Sequence, residues 1–261
     1  PDHLAEQAVN PLAAKDGHVV NILGWFTDPA NWTGSGGIPA QVGYHLLYSA
    51  IALLVALVIA VPLGIFIGYT GRGEALVAGF ANALRALPSL GLLVLLFLII
   101  APVMAGRLVY VLPTVIVLVL LAVPPILTGT YAGIQNADPD AVGAARGMGF
   151  TKRQILLRVQ LPCALPLMVS GVRSSTLQIV STATIAAYLG LQGLGRFILD
   201  GRAQSDFNQM AGGAILVAVL AIVLEFTFAW LGRAIVSPGL RRTAAKSSSP
   251  ISTTVLEPAT T

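Results

Sequence analysis

The sequence predicts an all-α polytopic membrane protein with about five transmembrane helices and a two-helix cytoplasmic loop. Three observations predict it. Of 261 residues, 56% are hydrophobic and only 10% charged, with mean hydropathy +0.82; ordinary soluble domains carry about 25% charged residues. Long apolar segments recur along the chain, each reaching the ~20 residues that cross a ~30 Å hydrocarbon core as a helix. The basic residues are concentrated in alternate hydrophilic segments, as a membrane topology requires.

The apolar segments span roughly 44–70, 75–101, 108–131, 164–189 and 209–236. Arg85 and Pro88 interrupt the second, where Pro88 marks either a kink or a true break. One set of hydrophilic segments holds Arg72, then Arg146, Lys152, Arg153 and Arg158, then Arg233, Arg241, Arg242 and Lys246. The other set holds only Lys15, Arg107, Arg196 and Arg202. The positive-inside rule places the first set in the cytoplasm, with the N-terminus outside and the C-terminus inside. The expected organisation is an extracytoplasmic segment at 1–40, a transmembrane domain at 41–240 with a cytoplasmic loop at 132–163, and a disordered Ser/Thr/Pro-rich tail at 241–261. Residues 1–40 hold no apolar run with a basic flank, so no cleavable signal peptide is expected. Within them, Val19–Phe26 is too short to span; with Trp25 and Trp32 it fits a patch on the outer headgroups or against a partner chain.

The composition also excludes several kinds of chemistry. A single cysteine, Cys163, leaves no disulfide framework or thiolate cluster. His3, His18 and His45 lack metal-ligand spacing, so no metal site is expected. No Ser/His pair, paired Asp or HExxH pattern falls on the spans, which leaves no catalytic residues to nominate. The net charge of +4 follows the membrane topology and gives no reason to expect nucleic acid as a partner.

The 132–163 loop carries the most information. Asp138-Pro139 suits a helix start, Ala141, Val142, Ala144 and Ala145 a small-residue helix, and Gly147 and Gly149 its end. Thr151 suits the cap of a second helix bearing Ile155, Leu156 and Val159, which Leu161-Pro162 would close before the next span. Two short helices of this kind form either a knob for a groove on a cytoplasmic partner or a solvated loop on the membrane surface.

The loop resembles the EAA motif of importer-type ABC permeases: E-A-A, three residues, Gly, nine residues, I-x-L-P. Ala144 and Ala145 match the alanines, Arg146, Gly147 and Met148 fill the gap, and Gly149 matches the glycine. Phe150–Arg158 supply the nine residues, and Val159, Leu161 and Pro162 match the end. Gly143 stands at the glutamate position, which removes any salt bridge a glutamate would make. The segments 82–90 (NALRALPSL), 124–134 (PPILTGTYAGI), 138–151 and 182–201 (TATIAAYLGLQGLGRFILDG) resemble permeases for quaternary-amine osmoprotectants: glycine betaine, carnitine and choline.

This resemblance implies a transport subunit without its own catalytic centre, working with a second permease (identical or paralogous), two ATP-binding subunits and an extracytoplasmic substrate-binding protein. No GxxxxGK[ST] phosphate loop occurs, so ATP and Mg belong to the partner ATPase and this chain binds no cofactor itself. Ala144, Ala145, Arg146, Gly147, Gly149, Leu161 and Pro162 are the expected ATPase-coupling residues.

The fourth span is rich in hydroxyls. Ser174, Ser175, Thr176, Gln178, Ser181, Thr182 and Thr184 either line the path or bond to backbone and neighbouring helices. Gln178, Ser181, Thr182 and Thr184, with Pro88-Ser89 as a hinge, are the path or gate candidates. Arg85 and Arg173 read as snorkelling side chains, and Glu225 as a cavity residue or a partner of Arg85 or Arg173. The Gly-rich loop 190–206, with Arg196, Asp200 and Arg202, is expected at the outer surface, either touching the binding protein or as a solvated connector. An ABC permease for an amino acid such as methionine, and an ion-coupled secondary transporter, remain alternatives at this point.

Overall fold

A computed structural model describes residues 21–235, and every regular element among them is helical. A short helix, α1 (Ile22–Thr27), is capped by the Asn21 side chain and leads through a 3-10 turn at Pro29–Trp32 into α2 (Ile38–Thr70). α2 opens with Pro39 in its first turn and stops at Gly71, whose φ of +69° lets its amide donate back to Ile67 O at 2.8 Å. Then come α3 (Glu74–Ala86), α4 (Ser89–Ile100), α5 (Leu108–Gln135), α6 (Pro139–Gly147) and α7 (Lys152–Ile155). A π turn at Leu156–Gln160 joins α7 to α8 (Leu161–Thr182), which tightens into a 3-10 stretch at Ala183–Leu189. α9 (Gly195–Gln204) and α10 (Phe207–Ile235) follow.

Four helical stretches are long and apolar enough to cross a membrane: α2, α5, Lys152–Leu189 and α10. The segment at 75–101 is not a single span. Leu87 and Pro88 are extended, with ψ of 132° and 116°, because a proline drives the residue before it out of the helical region. The resulting 13- and 12-residue helices are each too short to cross alone. Glu74 accepts from the Gln135 side chain at 3.3 Å, and Phe97 stacks on Tyr110 at 5.6 Å. α3 and α4 together therefore follow α5 from one end to the other and complete the remaining crossing as a broken helix.

α5 is the centre of the bundle, between α2 and α8. One face of α2 is a ladder of small residues, Ala52, Ala56 and Ala60 all fully buried, and Gly64 continues it. A Cβ on Gly64 would sit 2.6 Å from Thr130 of α5. On the other side of α5, a Cβ on Gly129 would lie 2.5 Å from Leu167 O, and one on Gly171 of α8 would lie 2.6 Å from Pro125 O. Small residues allow this approach where no hydrophobic effect drives helices together in lipid. Ser175 ties the same interface by donating to Ala122 O at 2.5 Å.

Three sequence expectations are corrected here. Leu161-Pro162 does not end the second loop helix, because the wider π turn before Pro162 relieves the clash of its ring with the preceding turn. Trp25 lies neither on headgroups nor free for a partner. It is buried against Phe197 and rests on Gly212 of α10, where a Cβ would come within 2.3 Å of the indole. The Gly-rich segment 190–206 contains the helix α9, because Leu194 and Phe197 find an apolar cleft against α1 and α10. The tail at 241–261, together with His3, Lys15 and His18, lies outside the described residues.

Gly129→Val is expected to abolish the α5–α8 approach and lower the thermal midpoint of the detergent-solubilised chain by several degrees, since overpacking costs about 1–3 kcal/mol. Gly43→Ala, at an exposed helical position with nothing within 4 Å of the added methyl, should leave it unchanged or raise it.

Candidate functional site

Asp138 accepts the Asp140 amide at 2.9 Å, and Pro139 occupies the first turn of α6. The acidic start and Arg146 near the end complement the helix dipole. Gly149 takes φ +82°, a conformation that favours glycine, and turns the chain. Thr151 and Gln154 then close a reciprocal capping box, with Thr151 N donating to Gln154 Oε1 at 2.8 Å. Gln154 was legible as the third residue after a threonine cap but is absent from the sequence-derived candidates.

Within this elbow the expected coupling residues separate. Ala144, Arg146, Gly147 and Gly149 are exposed, whereas Ala145 is buried at 2% and Ile155 at 6% inside the elbow. Leu161 and Pro162 are half-buried on the helix that leaves it. Met148, missed in the sequence, is 69% exposed at the tip between Gly147 and Gly149. A long apolar side chain held out on a rigid turn is costly in water and suits an apolar recess.

Because the π turn is helical, the elbow is continuous with α8. On α8, Ser170, Ser174 and Ser181 are exposed and Gln178 is half-buried. Their spacing of four, four and three residues places them on one face. The opposite face carries the buried hydroxyls: Ser175 bonds to α5, and Thr176 donates back to Val172 O at 2.9 Å. Ser181 and Thr184 donate to Gln178 O and Ser181 O, so part of each hydroxyl's capacity goes to backbone. Thr182 is half-buried beside them. Pro88 is exposed and Ser89 half-buried at the break between α3 and α4.

Residues 60–242 match the sequence pattern of the family described as the inner membrane component of binding-protein-dependent transport systems. The chain belongs to this family of ABC importer permeases. It is 31% identical, over 80% of its own length and 93% of the relative's, to the glycine betaine/carnitine/choline transport system permease protein OpuCB of Bacillus subtilis. It is 34% identical to the osmoprotectant import permease protein OsmW of Salmonella typhimurium, over 79% of this chain and 95% of that one. Its fold resembles a chain of an inward-facing MetNI methionine ABC transporter, with TM-score 0.64 at 22% identity over 81% of this chain and 100% of that one. Family membership sets aside the ion-coupled secondary transporter.

At the permease's other end, away from the elbow, polar groups lock α2 to the turn after the 3-10 stretch. Gln41 accepts from Gly193 N at 2.6 Å and donates to the Gln192 side chain. His45, buried at 1%, places Nε2 2.9 Å from Val180 O. Arg107 donates to Tyr48 Oη at 3.3 Å and stands 5.8 Å over the Tyr44 ring. The hydrogen bond to Tyr48 raises the guanidinium pKa above its ordinary value. On α9, Arg196 pairs with Asp200 at 3.1 Å, and Arg202 is exposed. Among the described residues no three His, Cys, Asp or Glu side chains converge on one point.

Arg173 and Glu225 settle a question the sequence left open. Arg173 does not snorkel. It sits near the middle of Leu161–Leu189 and pairs with Glu225 of α10, its Nε donating to Oε2 at 2.8 Å. At membrane depth a pair costs far less than either charge alone. Glu225→Gln is expected to destabilise the permease by on the order of 3 kcal/mol, the cost of a lone arginine in a span. The double variant Arg173→Leu/Glu225→Leu should lose less, as read from thermal midpoints in a double-mutant cycle.

Proposed function

We propose that this permease imports quaternary-amine osmoprotectants such as glycine betaine, carnitine and choline, driven by ATP hydrolysis on partner subunits. The observation that carries the substrate class is the 30–34% identity, over most of both chains, to permeases whose names state those solutes. The chain works with a second permease copy or paralogue, two ATPases that hold ATP and Mg, and an extracytoplasmic binding protein. The N-terminus lies outside and the C-terminus in the cytoplasm, which puts the basic elbow (Arg146, Lys152, Arg153, Arg158) on the ATPase side.

In this reading the elbow docks on an ATPase through Ala144, Arg146, Gly147, Met148 and Gly149, with Ala145 holding its shape from within. ATPase closure moves the elbow, and the helix through Leu161 and Pro162 carries that motion to the face of Ser174, Gln178 and Ser181. That face, with Thr182 and Thr184, lines the path when two permeases meet; exposed polar groups on a spanning helix favour water or protein over lipid. The break at Pro88-Ser89 lets α4 move relative to α3. The Glu225–Arg173 pair anchors α10 to the moving helix, a structural role in place of the path role expected for Glu225. Arg196, Asp200 and Arg202 lie at the outer end, where the binding protein delivers solute. The path need only hold solute weakly enough to release it.

The test is to purify the tagged chain with its associated subunits and measure ATP-dependent uptake of glycine betaine, choline and carnitine into proteoliposomes with the binding protein present. Uptake of at least one, dependent on a co-purified ATPase, is expected. An assembled ATPase complex that moves none of them would overturn the substrate class. Met148→Asp should cut uptake at least tenfold in chain that remains folded and inserted; unchanged uptake would remove the elbow's docking role.

A further inference from the structure

A cavity of about 600 Å³ opens at the outer end of the bundle, lined by Tyr44, Arg107, Tyr110, Leu189, Gly190 and Gln192. Its volume falls within the range of about 300–1,000 Å³ typical of small-molecule sites. Among the described residues, one guanidinium and no carboxylate line it. Arg107 is exposed, with one donor on Tyr48 and its guanidinium carbon over the Tyr44 ring. Phe97 stacks on Tyr110 and braces it, and Gln41 braces Gln192. Among the described residues Arg107 has no carboxylate partner, and a planar guanidinium suits a carboxylate. Two tyrosine rings in the same cavity suit a diffuse cation with no N–H to donate. A ligand carrying both groups a few bonds apart answers the whole lining.

We propose that this cavity is a receiving site for a zwitterionic quaternary ammonium carboxylate, with Arg107 holding the carboxylate and Tyr44 and Tyr110 the ammonium. The inference rests on the osmoprotectant reading above and adds a recognition step on this chain. The cavity sits at the Leu189 end of the same continuous helix that carries Ser174, Gln178 and Ser181. Arg107 also becomes a specificity determinant, because choline has the ammonium but no carboxylate.

The experiment compares uptake of glycine betaine and choline in proteoliposomes of the complete transporter with saturating binding protein. Arg107→Gln should slow glycine betaine at least tenfold while changing choline less than twofold. Tyr44→Leu/Tyr110→Leu should slow both. An equal loss of both solutes in Arg107→Gln, or no loss of either, would overturn the site. Saturation-transfer NMR on the assembled complex without binding protein gives a second readout. Contact of the glycine betaine methyl protons should be present in wild type and in Arg107→Lys and lost in Arg107→Gln; equal contact in Arg107→Gln would overturn the assignment. Failure of the wild-type complex to take up any quaternary amine would instead overturn the osmoprotectant reading, and this site with it.

Discussion

The close approach of three helices through small residues is the constraint on which the rest depends. In lipid, apolar side chains gain nothing by leaving their surroundings for one another, so helices hold together by contact and by hydrogen bonds. α2 supplies Ala52, Ala56, Ala60 and Gly64, α5 supplies Gly129 and Gly133, and α8 supplies Ala164 and Gly171. With backbones at this distance, Ser175 reaches the Ala122 carbonyl across the interface. The arrangement fixes which side of α8 is buried and hence which side, that of Ser174, Gln178 and Ser181, is left outside the packed interface.

The second consequence is mechanical. The elbow and the polar face belong to one helix because the turn at Leu156–Gln160 widens where two prolines follow. A broken connection would dissipate a displacement of the elbow; a continuous one transmits it. α10 is tied to α8 through Arg173–Glu225 and to α9 and α1 through the Trp25–Phe197 cluster. The cavity at the end of the bundle away from the elbow is built from α2, the start of α5 and the turn after α8.

Much of this was legible in the sequence where one residue type has a single dominant local role. Asp138-Pro139, Gly149 and Thr151 mark the elbow because capping and positive φ restrict what can stand there. The break at Pro88 was legible as one of two outcomes, and the structure decides it. Long-range partners were not legible. Nothing near Trp25 in the chain announces Gly212, and Arg173 reads as a snorkelling residue until α10 places Glu225 beside it. α9 was hidden because Gly195 and Gly201 read as loop punctuation. They are glycines for packing, since a Cβ on Gly195 would lie 2.1 Å from Thr184 O. The burial of Ala145 and the exposure of Met148 were hidden for a related reason: spacing marks the motif but not which side of a short helix faces inward.

The proposed coupling requires the elbow to meet an ATPase. Met148→Cys in a Cys163→Ser background places one thiol at the tip, and its reaction rate with a water-soluble maleimide can be compared in the isolated chain and in the assembled transporter. Fast labelling of the isolated chain and labelling slowed at least tenfold in the ATP-free complex is the predicted result. Equal rates in both, with the ATPase demonstrably bound, would mean that the tip stays in water and that coupling runs through another surface.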